Sequence, residues 1–173
     1  MQATKSAPPK YPSDSAVETV ESPLEIKKWW MYNEWHPKCQ FSSHIQKRCA
    51  NRDELNLHGG TAAKELVESV FDAVRGKFIL WGLEREEAKW KKVVVAKLEL
   101  GWVKDNVEVL YPSNEKFEVT ALEGIVLWKD PAKEKYQLLE GNHRISAWLD
   151  AKAPAVLPSV MYIGKAKKSP NLL

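Results

Sequence analysis

Five consecutive residues, Glu140, Gly141, Asn142, His143 and Arg144, place a carboxylate, a residue without a Cβ, an amide, an imidazole and a guanidinium side by side. Tyr136, Leu138 and Leu139 lead into them, and Ile145, Trp148 and Leu149 follow three and four residues apart. That pattern predicts a strand, a one-glycine turn and a helix whose first turn stays open. The unbonded N–H groups and the positive dipole end at a helix start favour an anion. Asn142 is the expected N-cap. His143 and Arg144 add donors suited to phosphate, the arginine because its planar fork binds oxygens in pairs. The same letters also fit a plain helix start whose arginine pairs with a surface carboxylate, and both readings stay open on sequence.

A second set competes with the first. His36, Cys39, His44 and Cys49 are separated by two, four and four residues, and all are types that bind zinc tetrahedrally. The stretch from Ser43 to Cys49 resembles the second half of a retroviral-type zinc knuckle. That resemblance implies a small zinc unit in which Phe41, Lys47 and Arg48 meet single-stranded nucleic acid. It departs from the family by placing His36 where a cysteine stands and Ser43 where a glycine stands. A rival local reading makes Ser43 the cap of a short helix with Gln46 as its box partner, leaving His44 and Cys49 as ordinary helix residues. His58, before Gly59 and Gly60, reads as a structural or merely exposed loop histidine.

Residues 125–129, 136–148 and 157–164 together resemble the C-terminal half of the ParB/sulfiredoxin superfamily, with Gly141, His143, Arg144, Ala147 and Pro158 in family order. The resemblance implies an α+β fold, a small mixed sheet with packed helices, and a nucleotide phosphate site at Gly141, Asn142, His143 and Arg144. It further implies ATP or CTP with Mg²⁺ as cofactor. By the same resemblance Glu140 and His143 become catalytic candidates, Glu140 holding a metal ion or orienting an attacking hydroxyl in a phosphoryl or nucleotidyl transfer. Sulfiredoxins carry a cysteine between the glycine and the histidine. This chain has Asn142 there, and an amide is no nucleophile, so sulfinic acid reduction is not expected. The family's upstream half has no counterpart in the chain apart from Lys116, a candidate for its nucleotide grip.

The elements that must position these groups are partly legible. With 173 residues and 44% hydrophobic content, the chain has enough apolar side chains for a real core. Its net charge of +3 is spread without a block, so charge alone does not demand nucleic acid. No apolar run approaches the ~20 residues that span a bilayer, and the start lacks a secretory signal, so no membrane partner is expected and residence is cytoplasmic or nuclear. Two cysteines are too few for a disulfide scaffold. Eight tryptophans follow no fixed period, which argues against an internal repeat.

Residues 1–21 are poor in aliphatic side chains and predict a disordered tail. Ser22, Pro23 and Glu25 form a capping box for a helix over 23–34 carrying Ile26, Trp29 and Trp30. Thr61 caps a second helix over 62–75, with Leu66, Val67, Val70, Phe71 and Val74 as its stripe and Gly76 as its stop. Strands are expected at 77–81, 93–100, 125–128, 136–139 and 156–163, with a charged helix or loop at 83–91. Asp130 and Pro131 mark a hairpin turn. The expected division is a tail over 1–21, a helical region over 22–76 and a ParB/sulfiredoxin-like core over 77–173.

Two function classes follow from this reading. One is a nucleotide-binding, Mg²⁺-dependent transferase. The other is a noncatalytic nucleic-acid-binding, for instance DNA-binding, protein with a zinc unit. A binding-only relic that recruits another protein is compatible with the many tryptophans.

Overall fold

Val93, Val94 and Val95 are stiff at χ1 and suit a pleated surface, and they sit in the longest strand among the described residues. The structure, a computed structural model, describes residues 11–20, 24–34, 42–49, 51, 64–74 and 88–166. Among the described residues it is a mixed α+β arrangement of six strands and five helices. These fall into two compact units, one of α1 (Leu24–Glu34), α2 (Ser42–Gln46) and α3 (Lys64–Val74), the other holding all six strands with the remaining helices.

The sheet runs in the order β1-β2-β6-β4-β5-β3. Its members are β1 (Ser15–Val20), β2 (Ala88–Glu99), β3 (Val107–Val109), β4 (Leu122–Lys129), β5 (Tyr136–Glu140) and β6 (Val156–Ala166). Strands β2 and β6 pair antiparallel, β6 and β4 parallel, β4 and β5 antiparallel, and β5 and β3 parallel. Along β2 the buried positions pass from Val93 and Val95 to Leu98, because a register irregularity between Val95 and Leu98 shifts the alternation by one residue.

Helices α4 (Leu100–Asn106) and α5 (Asn142–Ala151) supply Val103, Ile145, Ala147 and Trp148 to a core shared with Val93, Val95, Ile125, Leu127, Leu138, Met161 and Ile163. Trp148 is fully buried, and its indole N–H donates to the Pro154 carbonyl at 2.7 Å, which satisfies the one polar atom a buried tryptophan brings. On the opposite face Trp90 and Trp128 flank Gly164 with ring centroids 5.6 Å apart.

In the helical unit Ile26, Trp29, Trp30 and Met31 of α1 are buried. Lys27 reaches Glu68 of α3 at 3.6 Å. The expected helices over 23–34 and 62–75 appear as α1 and α3. Of the predicted α3 stripe, Val67 is buried and Leu66 half-buried, whereas the side chains of Val70, Phe71 and Val74 lie outside the described residues. So do the caps Ser22, Pro23 and Thr61, the stop Gly76, the strand at 77–81 and His58.

Four sequence expectations are corrected. Residues 15–20 are a strand and not tail: β1 pairs antiparallel with β2, with Lys91 Nζ donating to Thr19 Oγ1 at 2.7 Å and Lys92 lying 3.9 Å from Glu18. Residues 88–91, expected in a helix or loop, open β2. The strand expected over 93–100 ends at Glu99, and Leu100 starts α4, a helix that the sequence reading omitted because it is short and carries Gly101. Strand β3 was likewise not expected. The hairpin between β4 and β5 forms as its turn residues require: Asp130 Oδ1 accepts the Ala132 N–H at 2.8 Å and its carbonyl accepts the Lys133 N–H at 3.0 Å.

Candidate functional site

Strand β5 delivers the chain to Gly141, which adopts φ 108° and ψ 16°. Only glycine takes this conformation without strain, and a Cβ built there would run into the Ile125 side chain. The first intrahelical bond is Ile145 N–H to the Gly141 carbonyl at 2.9 Å, which makes Gly141 the N-cap of α5. Asn142, expected in that role, is the first helical residue. Its Oδ1 accepts instead a long bond from the Tyr111 N–H at 3.4 Å. The amides of Asn142, His143 and Arg144 precede that first bond, so the helix start keeps its positive dipole end at this corner.

Glu140 is buried at the end of β5, and its Oε1 accepts the Gly141 N–H at 3.2 Å. The carboxylate thus braces the turn. Arg144 reaches across the same corner: its Nη1 donates to the Glu123 carbonyl at 2.7 Å. That carbonyl precedes Gly124, which has φ 76° and sits where the β4–β6 register slips, the mark of a β-bulge. The β4–β5 ladder ends at Val126 and Glu140, so residues 122–125 lie beyond its last pair, and there the guanidinium takes over. Nη2 of Arg144 is buried and has no hydrogen-bond partner among the described residues. Burial pulls the Arg144 guanidinium below its usual value, against the opposing pull of Glu140 and Glu123.

His143 stays exposed. Its Nδ1 lies 3.1 Å from Glu115 Oε2 and 3.3 Å from Ser113 Oγ. The Ser113 N–H donates to Ser146 Oγ at 3.1 Å, and the Glu115 N–H donates to Ser113 Oγ at 3.2 Å. Segment 111–115 therefore lies along the first two turns of α5, with a carboxylate against the imidazole. Lys116 is exposed, its Nζ 3.9 Å from Asp150 on α5.

The structure brings Glu140, Gly141, Asn142, His143 and Arg144 together at one strand-to-helix corner, as their adjacency requires. Sequence reasoning missed Glu115, Ser113 and Ser146 around His143 and the Glu123 carbonyl under Arg144. A signal existed for the last of these, because a glycine inside a strand pattern marks a bulge.

Of the zinc candidates, His36 and Cys39 lie outside the described residues. His44 is on α2, partly exposed. Cys49 is buried, and its thiol donates to the Asn51 carbonyl at 3.1 Å. Helix α2 starts at Ser42, so Ser43 lies inside it and not at its cap. Among the described residues no three His, Cys, Asp or Glu side chains are grouped to hold a metal ion. No helix among them is long and apolar enough to cross a membrane. No protein-family model, curated protein or solved structure matches the chain.

Proposed function

We propose that the chain is a nucleotide-binding protein of the ParB/sulfiredoxin type, taking the phosphates of ATP or CTP at the start of α5. The single observation that supports this reading is Arg144 Nη2, a buried charged donor with no hydrogen-bond partner among the described residues, beside a glycine-capped helix N-terminus. Such a group costs stability unless something meets it, and a phosphate oxygen is the acceptor this corner suits best. On this reading the amides of Asn142, His143 and Arg144 share one phosphate with Nη2. His143 exchanges Glu115 for a phosphate oxygen. Glu140 shares Mg²⁺ with phosphate oxygens and water, as is usual for an ion that keeps much of its hydration. Transfer of a phosphoryl or nucleotidyl group then rests on positioning and charge neutralisation, with no protein nucleophile.

Calorimetric titration with ATP and CTP, with and without Mg²⁺, tests the proposal. The unaltered protein is expected to bind one of them, and Arg144→Met to bind it at least tenfold more weakly while keeping its circular dichroism spectrum. Glu140→Gln is expected to keep nucleotide binding and lose turnover. Absence of heat with either nucleotide, or equal affinity in Arg144→Met, overturns it.

A further inference from the structure

The register of the sheet assembles a row of lysines that the sequence scatters. Lys89 on β2 is opposite Lys165 on β6, and Lys165 is opposite Lys129 on β4. Residues of one rung share a face and lie about 4.8 Å from strand to strand. Trp128 pairs with Gln137, so the next rung sets Lys129 beside Tyr136, and Tyr136 in turn pairs with Val107 on β3. One rung therefore reads lysine, lysine, lysine, tyrosine. The half-buried indole of Trp102 on α4 lies over that tyrosine, centroids 6.1 Å apart and planes at 31°.

Like charges set directly opposite one another on a sheet repel, and among the described residues the exposed pair of this row meets no carboxylate. Lys89 and Lys165 are exposed, and neither makes an ion pair or a hydrogen bond with a described residue. Lys129 is buried with its Nζ on the backbone carbonyls of Asp130 and Lys133, and the Asp130 carboxylate beside it offsets part of its charge while Lys165 opposes it. On the same face, two residues along β2, Lys91 gives its Nζ to the neutral Thr19 hydroxyl.

We infer that this rung binds the backbone of a single-stranded nucleic acid, with phosphates along Lys89 and Lys165 and a base against Trp102. A linear run of ammonium groups beside a half-exposed aromatic ring is the combination that tracks a flexible phosphodiester chain and holds its bases by stacking. A bilayer surface is a poorer occupant, because it takes lysines interspersed with exposed apolar anchors. Among the described residues the exposed large apolar side chains, Tyr11, Val17, Val94, Tyr111, Phe117 and Val156, include none in this row. The inference is independent of the nucleotide site at α5.

Fluorescence anisotropy of a labelled oligothymidylate, titrated with the full chain over a salt series, tests it. Binding is expected to weaken steeply with salt. The double variant Lys89→Gln/Lys165→Gln should lose about tenfold in affinity at low salt and flatten the log–log slope by about 1.4, since each phosphate contact on a single strand contributes about 0.7. Trp102→Leu should weaken binding without changing the slope, whereas Arg144→Met should bind as the unaltered protein does. Equal affinity and slope in the double variant overturn the proposal, as does duplex DNA binding as tightly as the single strand. Lysine-dependent binding to phosphatidylserine vesicles with none to the oligonucleotide overturns it in favour of a membrane surface.

Discussion

Strand β5 is bordered by charge at both ends, and the two ends use it in opposite ways. At the Glu140 end the charged groups turn inward or toward one another: Glu140 braces the turn, Arg144 takes the Glu123 carbonyl, and Glu115 lies against His143. At the Tyr136 end a row of lysines crosses three strands, and its exposed members meet no carboxylate among the described residues. A charge that finds its partner within the chain fixes shape, while one that does not raises the local potential and draws a counter-charge from solution. The difference teaches that residue types alone do not rank two candidate sites. The conspicuous Gly-Asn-His-Arg sequence offers a ligand one side-chain nitrogen, Arg144 Nη2, beside the amides of the helix start. The inconspicuous lysines offer two whole side chains.

The sharpest way to break this contrast is at the turn. Gly141→Ala puts a Cβ at φ 108° and against Ile125, and should destabilise the fold by about 3 kcal/mol or more, seen as a drop in the denaturant midpoint. An unchanged midpoint would mean the corner yields. Next in size, Arg144→Met strips the Glu123 carbonyl of its donor and should lose about 1–3 kcal/mol. If it instead gained stability, the vacant Nη2 would be a net burden that only a ligand justifies, and nucleotide-induced thermal shifts would vanish with it.

The Tyr136 end makes a pH prediction. Burial, with Tyr11 a lesser contributor, pushes the Tyr136 phenol up to about 12, while in an unfolded chain it ionises near 10. Its contribution is therefore complete below the unfolded value and is lost as pH rises through the window between the two. Chemical denaturation across that window should show stability falling, and Tyr136→Phe should remove that part of the slope. Smallest of all, Lys165→Gln should raise stability by a few tenths of a kcal/mol at low salt by relieving its rung. Glu115→Gln should change stability by less than about 1 kcal/mol, because the pair it breaks is exposed.

Elements with a local signature were readable in the sequence, and those made by distant pairing were not. Helices α1 and α3, the Asp130 hairpin, β5 and α5 each announce themselves through periodicity or turn chemistry within a dozen residues. Strand β1 does not, because Ser15–Val20 is short, mixed in polarity and mostly exposed, and it becomes a strand only by pairing with β2 far along the chain. At the candidate site the five residues were visible because they are adjacent. Their partners were not: Glu115 and the Glu123 carbonyl reach them by tertiary contact. Asn142 lost the cap to Gly141 because backbone geometry at the strand's end outweighed side-chain preference. The lysine row was hidden most completely, since its members stand in three strands and only register aligns them.

The placement of β1 on the outer flank of β2 has a practical corollary for anyone who shortens the chain. Trimming it to begin at residue 21 would remove β1 and bare the amides and carbonyls of every second residue of β2 between Trp90 and Val95, those whose backbone groups do not bond to β6. A β-branched ribbon with an open margin templates strands from neighbouring molecules. Aggregates from such a shortened protein would then report a missing selvedge, and not a failure of the rest to fold.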